Sequence, residues 1–151
     1  NSDGQPTMVD VADKTVSART AVAEARVLLP VEVARSLADA GFATKKGPVF
    51  ATAIIAGTMA AKRTHELIPF CHPLALEKCR IDIESRGTEV VIRCEVGVHH
   101  KTGVEMEALT AVSVACLTIY DMVKAADRAM TIEDVRLEEK TGGKSGPYRR
   151  S

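Results

Sequence analysis

Aromatic side chains are scarce: the 151 residues include no Trp, two Tyr and three Phe. A chain this poor in rings offers no stacking platform for bases, which argues against a nucleic-acid partner. An excess of one charge is also missing. Lys and Arg total 20 and Asp and Glu total 20, for a formal net charge of +0. Proteins that coat nucleic acid carry a basic excess, so an anionic partner of this chain is expected to be small and held by local clustering. Cys71, Cys79, Cys94 and Cys116 contain no C-x-x-C pair, which argues against a disulfide scaffold. Reduced thiols in a cytoplasmic protein are the simplest reading. The longest apolar stretch, around Ala108 to Tyr120, is short for a bilayer and carries Thr110, Ser113 and Thr118, so no membrane partner is expected. The N-terminus is polar and has no hydrophobic signal core. It lacks an initiator Met, so the numbering is expected to begin inside a longer or trimmed gene product.

What is present is ordinary globular material, 46% hydrophobic and 26% charged, in a length that suits one domain. Residues 1–7 read as a flexible lead-in and 8–151 as a single domain. From Met8 to Leu29 the signals conflict. Val9 and Val11 alternate with Asp10 as in a strand, whereas Ala21–Arg26 is rich in helix formers. Val33, Leu37 and Ala40 have helical spacing, with Gly41 as a stop. Pro48 suits a first helical position. The Ala-rich run from Val49 to Leu67 predicts a helix whose small residues permit close packing on a sheet or a neighbour, and Pro69 stops it. Cys79, Ile81 and Ile83 alternate with charges, as do Val90, Ile92, Cys94, Val96 and Val98. With a turn at Arg86-Gly87, these runs predict an antiparallel hairpin with one apolar face.

Thr102-Gly103-Val104-Glu105 has the capping-box pattern. The helix it opens is expected to reach about Arg128, burying Leu109, Val112, Cys116, Ile119, Val123 and Ala126. A polar stripe of Glu107, Thr110, Ser113, Asp121, Lys124 and Arg128 occupies the other side. A strand from Ile132 to Glu139 and a Gly-rich tail complete the chain. The order β–α–α–β–β–α–β predicts an α+β, ferredoxin-like split βαβ fold, an antiparallel sheet with helices packed on one face.

Several places can carry chemistry. Ile68-Pro69-Phe70-Cys71-His72-Pro73-Leu74 holds an imidazole and a thiol in a segment stiffened by two prolines; the alternative is a rigid connector with a solvated His. A zinc site built from Cys71, His72, His99 and His100 is disfavoured because short-spaced ligand pairs are missing. Asp121 and Lys124 share a helix face, which by itself is an ordinary i, i+3 ion pair. Lys45-Lys46 alone is a solvated loop. Gly142-Gly143-Lys144-Ser145 ends like a Walker A loop, but Glu138 stands where the first Gly is required, so it is not a P-loop. It still suits phosphate binding through backbone amides and charge.

Taken together, Met8-Val9-Asp10-Val11, Lys46-Gly47, the Phe70-Cys71-His72 segment, Lys101-Thr102-Gly103-Val104-Glu105-Met106-Glu107-Ala108-Leu109-Thr110, Ile119-Tyr120-Asp121-Met122 and Lys140-Thr141-Gly142-Gly143-Lys144-Ser145-Gly146 resemble the MoaC family over nearly the whole chain. The resemblance implies a lyase of molybdenum cofactor biosynthesis. It would convert 3′,8-cyclo-7,8-dihydro-GTP to cyclic pyranopterin monophosphate and pyrophosphate. It implies a homohexamer, a trimer of dimers, with active sites between subunits. Asp121, Lys46 and Lys124 would be catalytic. Phe70, Cys71, His72, Met106 and Glu107 would bind substrate, as would Glu105, Arg19 and Lys144. No metal site and no cofactor are implied, with a divalent ion on the phosphates left open. Departures are Phe70 where Leu is usual and Pro48 and Pro147 where Asp is common, which bear on loop and pocket shape. A small-molecule sensor and a metal-dependent hydrolase using Cys71, His72 and His99 are the rival readings.

Overall fold

A computed structural model describes residues 2–151. The chain opens with strand β1 (Ser17–Leu28), followed by helix α1 (Val31–Asp39) and a miniature hairpin of β2 (Ala43–Thr44) and β3 (Gly47–Pro48). Helices α2 (Val49–Lys62) and α3 (Thr64–Leu67) lead to the long hairpin β4 (Lys78–Arg86) and β5 (Glu89–His100). Helix α4 (Glu105–Val123), strand β6 (Thr131–Thr141) and the short β7 (Tyr148–Arg149) finish it. The lead-in expected over 1–7 includes Asn1, which lies outside the described residues.

The conflicting signals of the first segment resolve as strand only from Ser17 onward: Val9–Val11, which alternate as in a strand, belong to no regular element, whereas Ala21–Arg26, rich in helix formers, is strand. β1 is central in the sheet order β4-β5-β1-β6-β7, paired antiparallel along its full length with β5 and again with β6. Two ladders of hydrogen bonds override the helix propensity of Ala and Glu, which amounts to only a few tenths of a kcal/mol per residue. Ala21, Ala23, Ala25 and Val27 all face the core, and their small side chains let α4 lie close over the strand. Taking β1, β4, β5 and β6 in chain order, the sheet reads second-third-first-fourth and is antiparallel throughout. This is the ferredoxin-like split βαβ arrangement, with α1, α2 and the small hairpin inserted in the first crossover. Ile81, Val90, Ile92, Cys94, Val96 and Val98 form the buried face of the β4–β5 hairpin. The opposite face carries ion pairs, including Arg26–Glu89 at 2.6 Å and Lys78–Glu95 at 2.8 Å.

Three expectations need correction. The Ala-rich helix does not run unbroken to Leu67. Arg63 leaves helical geometry, and the buried Thr64 hydroxyl bonds back to the Ala60 and Ala61 carbonyls at 3.1 and 3.0 Å, a contact that bends helices. The capping box does not form. The helix begins after Val104, and the Glu105 carboxylate accepts a charged hydrogen bond from Lys140 Nζ at 2.9 Å, which is stronger than a bond to a neutral amide. Finally, α4 stops at Val123, and the chain beyond it turns into a loop in which the Asp127 side chain accepts the Ala129 amide and Tyr120 Oη donates to the Arg128 carbonyl. Ala126 is therefore exposed instead of buried.

By length and composition the 19-residue α4 is apolar enough to cross a membrane, longer than its purely apolar stretch suggested. Here it packs across β1, β5 and β6 as the core helix, with α2 beside it over β4. The helices come close at Gly57. A Cβ there would stand 2.6 Å from Ile81 Cδ1 and 2.9 Å from the Ala111 carbonyl oxygen.

Candidate active site

One carboxylate holds two ammonium groups at the C-terminal end of α4. Lys124 is one turn beyond Asp121 and its Nζ lies 2.9 Å from Asp121 Oδ1. Lys46 arrives from the tip of the β2–β3 hairpin, with its Nζ 2.9 Å from Asp121 Oδ2 and 3.4 Å from the Asp121 carbonyl oxygen. The bonds from Lys46 and then Lys124 hold the Asp121 carboxyl below its ordinary range. A cavity of about 670 Å³ opens beside the triad, with Val33 and Leu37 of α1, Ala40 just beyond it and Met122 of α4 as apolar wall. Two cations and one anion on such a wall can bind phosphate charge and exchange protons with a bound ring.

At the other end of α4 stands the Pro-bracketed segment. Cys71 Sγ donates to Glu107 Oε2 at 3.4 Å. Glu107 is only 2% exposed and its Oε1 has no hydrogen-bond partner. Burial, the largest effect, raises the Glu107 carboxyl above its ordinary range, and it also lifts the Cys71 thiol to about 11. His72 donates Nε2–H to the Val9 carbonyl at 2.8 Å, which ties the N-terminal segment to this end of the molecule. Phe70 and Met106 are exposed beside a hollow of about 350 Å³ that also touches Thr102 and Gly103.

A third cluster surrounds Arg19. Its guanidinium donates to Ser17 Oγ at 2.8 Å and to the Lys101 carbonyl at 3.1 Å, which links it to the Thr102–Gly103 rim. Gly142 and Gly143, at φ +89° and +87°, carry the tail across it. A Cβ on Gly142 would overlap the Ala18 carbonyl oxygen, and one on Gly143 would stand 2.5 Å from Arg19 Nη1. Only glycine permits that path. Lys14, Arg19 and Lys144, together with Asp13, border a hollow of about 370 Å³ whose excess of positive charge suits phosphate.

The residues singled out from the sequence thus gather into a triad at one end of α4 and two adjoining clusters at the other. Glu107 and Asp121 do not line a common groove. They lie fourteen positions apart on one helix, about 20 Å at 1.5 Å per residue, and Cys71 covers Glu107. Lys140, on the core-facing side of β6 opposite Ala21, was missed. The strand expected to end at Glu139 runs on to Thr141 and so includes Lys140. His99 is engaged elsewhere, its Nδ1 lying 2.7 Å from Glu77 Oε1. Among the described residues no group of three or more His, Cys, Asp or Glu is placed to hold a metal ion.

The MoaC family model matches residues 8–143, a span that contains all of these side chains except Lys144. The chain belongs to the MoaC family. Among curated MoaC relatives, a protein of Xanthomonas axonopodis pv. citri (strain 306) is 58% identical over 142 residues, which is 93% of this chain and 86% of the relative. Proteins of Methylobacterium sp. (strain 4-46) and Methylobacterium nodulans are 56% and 57% identical over 150 residues, 98% of this chain and 92% of each relative. All three carry the name cyclic pyranopterin monophosphate synthase.

Proposed function

We propose that this chain is a cyclic pyranopterin monophosphate synthase, a lyase of molybdenum cofactor biosynthesis. Its substrate is the cyclised dihydro-GTP, and its products are the cyclic pterin monophosphate and pyrophosphate. The observation that carries this reading is the Asp121 carboxylate held 2.9 Å from both Lys46 and Lys124 beside a cavity large enough for a nucleotide ring system. Ring opening and re-closure into a pterin require several proton transfers. Lys46 and Lys124 relay them as acid and base forms while Asp121 aims both ammonium groups. Arg19 and Lys144 hold the charge that builds on the departing pyrophosphate. His72 and the Phe70–Cys71 segment, with Met106, grip the purine or pterin end, and Glu105 and Glu107 support it. The conversion changes no net oxidation state, so it needs no redox cofactor; a divalent ion can accompany the phosphates.

A substrate of this size cannot touch both ends of α4 in one protomer. The separation of about 20 Å therefore supports a site completed between subunits of a homo-oligomer; the family resemblance makes that assembly a hexamer, a trimer of dimers, in the cytoplasm. The exposed apolar residues Ile55, Met59 and Leu117 on α2 and α4 suit burial in such contacts. Purified protein incubated with the cyclised dihydro-GTP should release pyrophosphate and pterin together, and Lys46→Ala should lower turnover by about 10²–10⁴-fold. Tight binding without turnover would identify a binding module instead, and no binding would overturn the reading.

A further inference from the structure

We infer that Phe42 is a positioning residue for this site: it sets the β2–β3 hairpin so that Lys46 meets Asp121. The inference rests on the role of Lys46 proposed above. Phe42 adopts φ +59°, a left-handed conformation that bulky side chains rarely take. Such strain persists only where the surroundings over-determine it, and here they do. The Phe42 amide donates to the Leu37 carbonyl at 2.8 Å, which closes the end of α1. Its carbonyl accepts the Val49 amide at 2.9 Å, which fastens the base of the hairpin to the first residue of α2. Its ring stacks on Phe50 of α2, with centroids 4.9 Å apart and planes inclined by 27°. One residue therefore ties α1, the hairpin and α2 together.

The hairpin beyond it is minimal. Ala43 pairs with Pro48 and Thr44 with Gly47, and Lys45 and Lys46 form the turn. Two paired positions leave little freedom between the Phe42 anchor and the Lys46 backbone, so tilting the base carries the ammonium group away from Asp121. Phe42 itself does not line the cavity beside the triad. Its influence runs through Lys46, and a displacement of about 1 Å at a reacting group can cost on the order of 10²-fold in rate.

Phe42→Asn separates the ring from the backbone, because Asn tolerates positive φ. The expected result is a kcat about 10- to 100-fold lower with KM changed far less. The Asp121 carboxyl, followed by carbon NMR, should titrate higher as its bond from Lys46 loosens. Phe42→Tyr, which keeps the stack, should restore both readouts. Should Phe42→Asn fail to fold, Phe50→Leu removes the same stack from the α2 side and is expected to give the same two changes. Wild-type kcat and an unmoved Asp121 titration in the folded ring-deletion variant would overturn the inference. Lys46→Ala measured alongside keeps the two levels apart: an active Lys46→Ala protein would overturn the site assignment, whereas an inactive one beside a normal Phe42 variant would overturn only the role of Phe42.

Discussion

Asp121 and Glu107 are two carboxyls on one helix whose surroundings push them in opposite directions. Asp121 is held low by Lys46 first and Lys124 second, so its favourable pairing is present above the unfolded carboxyl range and is lost only as pH falls through its lowered folded value. In a carbon NMR titration Lys46→Ala and Lys124→Ala should each move the Asp121 midpoint upward. An unmoved midpoint in both would contradict the bridging geometry. Glu107 is raised above 4.5 by burial. The folded protein therefore keeps a proton that the unfolded chain has already released. Stability from this residue is complete below the unfolded value and drains as pH rises through the raised folded one. Glu107→Gln, which carries no titrating proton, should flatten that decline in Tm against pH while keeping the fold. A variant with the wild-type slope would show that Glu107 is ionised in the native state.

At the scale of elements, the α2–α4 contact decides how the two helices share the sheet. Gly57 allows it, and Gly57→Ala tests it. The added methyl must displace Ile81 or the Ala111 carbonyl, and overpacking of this kind costs about 1–3 kcal/mol. The gain in helix propensity is about 1 kcal/mol, so a net loss is expected, read as a lower urea midpoint at unchanged m-value. An unchanged or higher midpoint would mean that the helices slide apart freely. The polar stripe on α4 is not uniformly open. Its N-terminal half, Glu107 and Thr110, is buried, and periodicity marks a face of a helix without saying what will cover it.

Across the whole molecule, the two ends of α4 are too far apart for one small substrate, and this has a testable consequence for the assembly. Lys46→Ala and His72→Ala remove groups from opposite ends. Co-refolding the two inactive variants should restore about a quarter of wild-type turnover, because half of the mixed pairs are heterodimers and each of those has one intact site of two. No recovery would place both ends of the chemistry within one protomer and would overturn the composite site.

The sequence by itself determined the hairpin from Cys79 to Val98, the helix from Val31, the α+β order and the identity of nearly every residue in the three clusters. These are local or motif-level properties: alternation declares a half-buried strand, and an uncommon run such as Thr102–Thr110 declares a family. Tertiary structure alone decided that Ala21–Arg26 is a strand, since two neighbouring ladders outweigh a propensity of a few tenths of a kcal/mol per residue. It decided that Glu105 pairs with Lys140 instead of capping its helix, because the cation comes from a strand 35 positions away. It also decided the division of the site. Residues on one helical stripe look adjacent in a periodic pattern, but a straight helix of 19 residues holds its ends apart, and packing leaves one carboxyl buried beneath a thiol and the other open between two lysines.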